Sequence, residues 1–522
     1  MAVGVIFLLV SLAFILAYYF YQRNKYFDRL GIKSPPSISI LGHLHEFASV
    51  PFGLRLQQWT GEYGKTFGIF EGGVPVLVTS DLDVCSDVFV KSYESFHARK
   101  HFPLAKNPDV DPYASMFTAR GLRWKRLRTL SNPVFKTSNL KRLCPLIESA
   151  CNDFIEILGE QAEEGVPFNI MRNFQLFTCD IIARVAFGEN RNMQRPGSNP
   201  YYEFCKTFFP DKPQFRNSIF HLLPMVFPEI RDYIAKVFHF VTSKQKMDPP
   251  GITFKTRSQT SSMSGEHKAR KEENADFVDM FLETETDNSE ELNIVGESHL
   301  ADIKQSKIDK KIMTEEIVGQ LMLFLIAGYE TTANSLSYVA YHLARDQERQ
   351  EKLRNEVISI TGGSTEISYE MVAQMKYMDV CIREALRLYP LASFVIARTC
   401  MQTTTVGKER QLQIPEGLVV LVDAWSIQRD KTFWGEDADE FRPERFDEVD
   451  QTKIVDHWLP FGIGPRICVG MRFALLEQKI LLARILQEYT LKTCKETPIP
   501  LKLQGAFTVV PEDVTLIVER NV

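Results

Sequence analysis

The run Phe461-Gly462-Ile463-Gly464-Pro465-Arg466-Ile467-Cys468-Val469-Gly470 constrains this chain more than any other stretch. Glycines on either side of a lone cysteine describe a tight loop around a sulfur. They let the backbone fold back on itself and turn its N–H groups inward. Gly470 leads into Met471-Arg472-Phe473-Ala474-Leu475-Leu476-Glu477, which is rich in helix formers and contains no breaker. The sulfur of Cys468 is therefore predicted just before a helix N-terminus, where orphan N–H groups and the dipole favour negative charge. That is the setting of a thiolate, the metal-binding form of cysteine.

The rest of the chain supplies a large body and one segment that leaves water. Its 522 residues are 44 % hydrophobic and include 37 phenylalanines, ample material for a core. A formal charge of −5 with no basic stripe argues against a nucleic-acid partner. The nine cysteines are scattered, odd in number and free of CxxC pairs. That argues against a disulfide framework or zinc site and for a reducing, cytosolic setting. Ala2 to Tyr21 carries no charge and is long enough to cross the ~30 Å hydrocarbon layer. Tyr18, Tyr19 and Tyr21 crowd its end, and Arg23, Lys25, Arg29 and Lys33 follow, as at a cytoplasmic membrane boundary. A cleaved signal peptide would want basic residues before the apolar stretch and a small-residue cleavage site after it, and neither is present. Residues 1–22 thus read as a retained, single-pass signal anchor. Residues 23–40 read as a basic hinge stiffened by Ser34-Pro35-Pro36-Ser37, and residues 41–522 as the cytosolic body.

Within that body, Phe67 to Thr79 alternates around Gly72-Gly73 and is predicted to form a hairpin. Val84 to Phe240 is mostly helical in pattern, with loops at Pro103–Pro112 and Pro210–Pro228. The polar stretches Gly251–Glu273 and Glu283–Lys311 read as connectors, with a short helix, Asp276–Glu283, between them. The longest helix is expected over Thr314–Asp346, with Thr314 as N-cap and Glu315 and Glu316 complementing its dipole. A second is expected over Tyr369–Leu388, and short strands at Val395–Thr399 and Leu418–Val422. The fold class is mainly α with small β-sheets.

The centre of the long helix carries Ala327-Gly328-Tyr329-Glu330-Thr331-Thr332 in otherwise apolar surroundings. Polar groups there are costly unless used or paired. Thr331 can bond back to the carbonyl of Ala327, and Gly328 weakens the same turn and leaves room for a ligand as small as dioxygen. Glu384 and Arg387 lie three apart on the second helix and can pair.

The spacing Phe-x-x-Gly-x-Arg-x-Cys-x-Gly resembles the haem-ligand loop of the cytochrome P450 family, the haem-thiolate monooxygenases. The later elements resemble that family in the same order. Phe441-Arg442-Pro443-Glu444-Arg445-Phe446 is similar to its second arginine-bearing element. Cys494-Lys495-Glu496-Thr497 before Pro498-Ile499-Pro500 looks like its microsomal drug- and steroid-oxidising branch. The resemblance implies haem b, iron protoporphyrin IX, with Cys468 as axial ligand in a loop shaped by Phe461, Gly464 and Gly470. It implies that Glu384, Arg387 and Arg445 form a buried cluster holding that loop. Trp124, Arg128, Arg398 and Arg466 become candidates for the haem propionates, a task suited to arginine's planar fork. Lys125 and Arg126 are expected to face solvent, on the surface that receives a redox partner. Thr331 would hydrogen-bond the bound oxygen, and Glu330 would connect it to solvent protons. One departure is Gln428-Arg429-Asp430, where many relatives carry histidine first, so a haem contact from Gln428 is not expected.

The implied activity is that of an oxidoreductase acting on paired donors, inserting one oxygen atom of O2 into an apolar small molecule. No nicotinamide or flavin fingerprint is present, so electrons must come from an outside reductase; the resemblance implies a membrane-bound NADPH–cytochrome reductase, with cytochrome b5 as a further candidate donor. The implied location is the endoplasmic reticulum membrane. Phe96–Gly121, Phe204–Phe240 and Leu391–Ile396 match the pocket-lining regions, and only a minority of Phe208, Phe209, Phe215, Phe220 and Phe227 is expected to meet substrate. The rival functions are a haem-thiolate isomerase or dehydratase that needs no external electrons, and a haem-based sensor.

Overall fold

A computed structural model describes residues 2–48, 50–189, 191–208, 219–242, 277, 278, 280, 281, 312–409, 411–505 and 508–521. The two polar connectors lie outside these residues, as does part of the short helix between them, of which Phe277, Val278, Met280 and Phe281 are helical. The architecture is mostly helical with small sheets, and one N-terminal helix, Val3–Asn24, is long and apolar enough to cross a membrane.

Helices pack around the central helix Thr314–Arg345, whose 32 residues run ~48 Å through the core. Its N-cap is Met313, not Thr314 as expected. The Met313 amide donates to Glu316 Oε2 (3.3 Å), and the buried Glu316 carboxylate also binds Arg123 and Arg126. Arg126 is therefore no solvent-facing cation: a buried partner 190 residues away claims it. Gln320 accepts the amide of Met116 (2.8 Å), so this end of the helix is stitched to the 108–116 loop.

The predicted hairpin forms as β1 (Thr66–Glu71) and β2 (Val74–Thr79), turning at Gly72-Gly73. With β3 (Ala397–Thr399) and β4 (Val419–Val422) it makes a four-stranded sheet of order β1-β2-β4-β3, in which β2 and β4 are parallel. The glycine turn is required sterically, because a Cβ at either position would strike the backbone of Met225 or Val226. Those residues belong to a helix, Ile219–Val226, inside the stretch read as a proline loop. Phe227 packs at 6.3 Å and 6.0 Å from the rings of Tyr19 and Phe20 on the N-terminal helix, Tyr19 donates to Glu229 (2.9 Å), and Arg23 donates to the Val226 carbonyl (3.2 Å).

The helix expected over Tyr369–Leu388 is two, Tyr369–Gln374 and Lys376–Leu388, broken at Met375. The cause is tertiary. Glu356, on a neighbouring helix, accepts the amides of Tyr377 (2.7 Å) and Met378 (2.9 Å) and so caps the second helix from outside.

Candidate functional site

The loop around Cys468 closes on itself. The Cys468 amide donates to the Phe461 carbonyl (2.9 Å), Gly462 to Leu459 (3.0 Å) and Ile467 to Gly464 (2.9 Å). Gly462 and Gly464 take φ of 75° and 74°, the left-handed region that disfavours side chains, and a Cβ at 464 would strike the Phe89 carbonyl. Gly470 does something else. It has φ −85° and caps the helix Met471–Glu488, and its amide and that of Met471 hydrogen-bond the Cys468 sulfur. Burial raises the thiol pKa, while these amides and the charges of Arg128 and Arg99 pull it down. Of the nine cysteines Cys468 alone is exposed, and what it faces is a cavity of about 1650 Å³ inside the fold.

The far wall of that cavity is the middle of the central helix. Thr331 donates to the Ala327 carbonyl at 2.6 Å, the predicted back-bond, so its hydroxyl proton is engaged and its oxygen is left to face the cavity. Glu330 is buried and accepts from Thr508 of the C-terminal segment. Gly328 has a packing reason that the sequence did not show: a Cβ there would lie 2.9 Å from Ile182 Cδ1 of the helix Ile170–Phe187.

Between the two walls sits a group of arginines. Arg128 and Trp124 stand one turn apart on the helix Gly121–Ser131, Arg398 lies on β3, and Arg466 lies in the cysteine loop. All four positions line the cavity, and so does Arg99, which sequence reasoning placed only within a pocket-lining region. The Arg466 guanidinium stacks 4.7 Å from the Trp124 ring, and Arg99 donates to the carbonyls of Val395 (3.2 Å) and Arg466 (3.3 Å). Burial lowers the pKa of all four arginines, and mutual repulsion adds to it for Arg99, Arg398 and Arg466. Arg99 falls to about 9. Among the described residues none of the four forms an ion pair with a carboxylate, and the Nε atoms of Arg99, Arg398 and Arg466 lack a hydrogen-bond acceptor. Buried cations without anions call for an anionic group in the same space.

Behind the loop, Glu384, Arg387 and Arg445 are fully buried and joined as expected. Arg387 grips the Glu384 carboxylate with Nε (2.7 Å) and a terminal nitrogen (2.9 Å), and Arg445 Nε donates to it at 2.8 Å. Arg387 also holds the carbonyls of Gln428 (2.8 Å) and Ala438 (2.7 Å), and Arg445 those of Trp434 (2.6 Å) and Asp437 (2.8 Å). Gln428 completes the connection. Its amide nitrogen donates to Leu386 (3.0 Å) and Arg387 (2.8 Å), and its oxygen accepts the Leu459 amide (2.6 Å), one residue before Pro460 and the loop.

The remaining lining comes from the predicted regions, with Phe102, Met116 and Phe117 from 96–121 and Leu391, Phe394 and Val395 from 391–396. Of the five singled-out phenylalanines, Phe227 packs on the N-terminal helix, and the side chains of Phe208, Phe209, Phe215 and Phe220 lie outside the described residues.

Comparison with known proteins gives the same answer as the geometry. The family described as Cytochrome P450 matches residues 32–518. The Caenorhabditis elegans protein named "Putative cytochrome P450 CYP13A3" is 38 % identical over 498 residues, 94 % of this chain and 94 % of its own length. CYP13A5 of the same organism is 37 % identical, covering 96 % of each chain, and cyp-13B1 is 35 % identical, covering 99 % of this chain and all of its own. The chain belongs to the cytochrome P450 family. Members bind haem through a cysteine thiolate and are in general monooxygenases. The residues present fit that cofactor: a sulfur held by helix amides, and four cavity-lining arginines that pair with no carboxylate among the described residues and could meet two propionates.

Proposed function

We propose that this protein is a haem-thiolate monooxygenase that hydroxylates apolar small molecules with electrons from an NADPH-dependent reductase. The observation that supports it best is the pairing, across one cavity, of the Cys468 sulfur with the Glu330–Thr331 turn.

Cys468 would hold the haem iron through its sulfur, whose deprotonated form the Gly470 and Met471 amides stabilise. Arg99, Arg128, Arg398 and Arg466 would hold the propionates, with Trp124 bracing Arg466. A thiolate-ligated haem, once bound, supplies activation of dioxygen for insertion into a C–H bond. Thr331 positions the reacting oxygen. To donate to it, the hydroxyl must release the Ala327 carbonyl, a single rotation of its O–H bond. Glu330, tethered by Thr508, is the acid that replenishes that proton. Glu384, Arg387 and Arg445 do not react. They fix the backbone from which the cysteine loop is hung. Apolar walls such as Phe102, Phe117 and Leu391 favour a substrate that dissolves in lipid. The N-terminal helix supports a single-pass mounting on the endoplasmic reticulum membrane, with residues 41–522 on the cytosolic side.

The deciding measurement is the absorption spectrum of the reduced protein with carbon monoxide. A strongly red-shifted Soret band is expected, lost together with all hydroxylation in Cys468→Ala and Cys468→His. Survival of either would remove Cys468 from the ligand role. Product formation that requires NADPH and reductase excludes the isomerase and sensor readings.

A further inference from the structure

The four arginines that crowd the cavity come from four separate pieces of chain. Arg99 follows the short turn Tyr93–Phe96, Arg128 lies on the helix Gly121–Ser131, Arg398 on β3 and Arg466 in the cysteine loop. Three consecutive residues of the first piece bind the other three. The His97 ring accepts the Gly121 amide at Nδ1 (3.1 Å), the Ala98 carbonyl accepts the Thr399 amide beside Arg398 (2.9 Å), and Arg99 donates to the Arg466 carbonyl (3.3 Å). The relative placement of the four cations therefore passes through residues 97–99.

Two of these links are permanent, since a carbonyl always accepts and a guanidinium donates throughout the neutral range. The third is conditional. An amide can only donate, so Nδ1 must offer a lone pair, which requires a neutral ring with its proton on Nε2. The helix it holds depends on that acceptor. At the N-cap Arg120 makes no side-chain cap, its side chain being taken by Asp109 (2.9 Å), and the first turn has no acidic residue. Arg123, Lys125, Arg126 and Arg128 load the same 11-residue helix with positive charge. An imidazolium at 97 would release the amide and bring one more cation to the positive end of the helix dipole. The ring is faced by Arg466 from the cysteine loop, Arg120 from the start of the helix and Asp109 from the 108–116 loop. Burial holds it below the ordinary histidine value of 6.5; the two arginines push the same way and Asp109 opposes them. The bond is thus complete above 6.5 and is lost as pH falls through the lowered value. Propionates bound by these arginines would draw that midpoint upward without changing which form of the ring makes the bond.

We propose that His97, as the neutral ring, is a positioning residue for the haem: it keeps Trp124 and Arg128 aligned with Arg99, Arg398 and Arg466 as one receiver for the two propionates, and its protonation loosens the hold on the cofactor. Solvent supplies the proton to Nδ1, the Gly121 amide is released, and no electrons move. The inference rests on the propionate assignment made above and not on which molecule is oxidised.

The test follows transfer of ferric haem from the full-length holoprotein to excess apomyoglobin at about pH 8 and about pH 5.5, either side of the histidine range. His97→Asn keeps an acceptor oxygen near the place of Nδ1 but does not titrate, whereas His97→Leu has no acceptor. At the higher pH, wild type and His97→Asn should lose haem at similar rates and His97→Leu about tenfold faster. At the lower pH the wild-type rate should approach that of His97→Leu, while His97→Asn stays slower by a similar factor. A wild-type rate in His97→Leu at the higher pH, or an equal acid acceleration in wild type and His97→Asn, would overturn the proposal. So would His97→Asn losing haem as fast as His97→Leu at both pH values. If His97→Leu does not fold, the acid acceleration of wild type against His97→Asn decides alone. Arg128→Leu should lose haem faster than wild type at both pH values; an unchanged rate there would refute the propionate assignment itself, so the two failures are distinct.

Discussion

Removing the Glu384 carboxylate tests how the cysteine loop is held. The group accepts two bonds from Arg387, one from Arg445 and the Arg442 amide (2.9 Å), with Glu384, Arg387 and Arg445 fully buried. In Glu384→Ala, Arg445 keeps Asp437 at 2.9 Å, but Arg387 is left with carbonyl oxygens only. Stranding one buried charge costs about 3–5 kcal/mol. For a body of the size matched here, residues 32–518, unfolding entropy is about 1 kcal/mol per degree, so Tm should fall by only ~3–5 °C. The local effect should be far larger, because Arg387 binds the Gln428 carbonyl, and the Gln428 side chain in turn binds the Arg387 carbonyl and accepts the Leu459 amide at the start of the loop. The expected result is a folded protein with nearly normal circular dichroism and a small drop in Tm. Haem content and the red-shifted carbon monoxide band should be mostly lost. A variant that retains the full band at the wild-type haem ratio would refute the idea that this cluster holds the loop.

Two further outcomes follow from the site. Thr331→Ala removes a hydroxyl whose present bond is local, so haem binding should persist while product per NADPH falls and peroxide rises; unchanged coupling would refute its part in proton delivery. Gln428→Leu deprives two carbonyls and the Leu459 amide of partners, at about 1–3 kcal/mol for each buried group left unsatisfied. It should convert part of the thiolate band to a blue-shifted form, with Gln428→His restoring it. Equal bands in the leucine and histidine variants would show that Gln428 does not position the loop.

What could be read from the chain alone was whatever is local. The glycines around Cys468 and the four-residue reach from Thr331 to Ala327 lie within single turns, and both appear where the spacing put them. The pairing of Glu384 with Arg387 is of the same kind. Arg445 needed a resemblance, since 61 residues separate it from Glu384. Arg99 stands in no periodic pattern, and only the folding of its segment over the loop reveals it as one of the cations. The break at Met375 and the N-cap at Met313 were misread for one reason. In both cases a glutamate decides where the helix starts, and its own placement depends on packing or distant arginines rather than on propensity.

The contact between the N-terminal helix and residues 225–229 ties that helix to the body at more than the chain connection alone. The same stretch of chain reaches the cavity through His221, and His239 beyond it bonds the Leu104 carbonyl (3.0 Å), another lining residue. A tilt of that helix relative to the body would therefore reach the cavity rim as a change of angle. On the proposed membrane mounting, lipid thickness and composition would become variables of entry to the cavity.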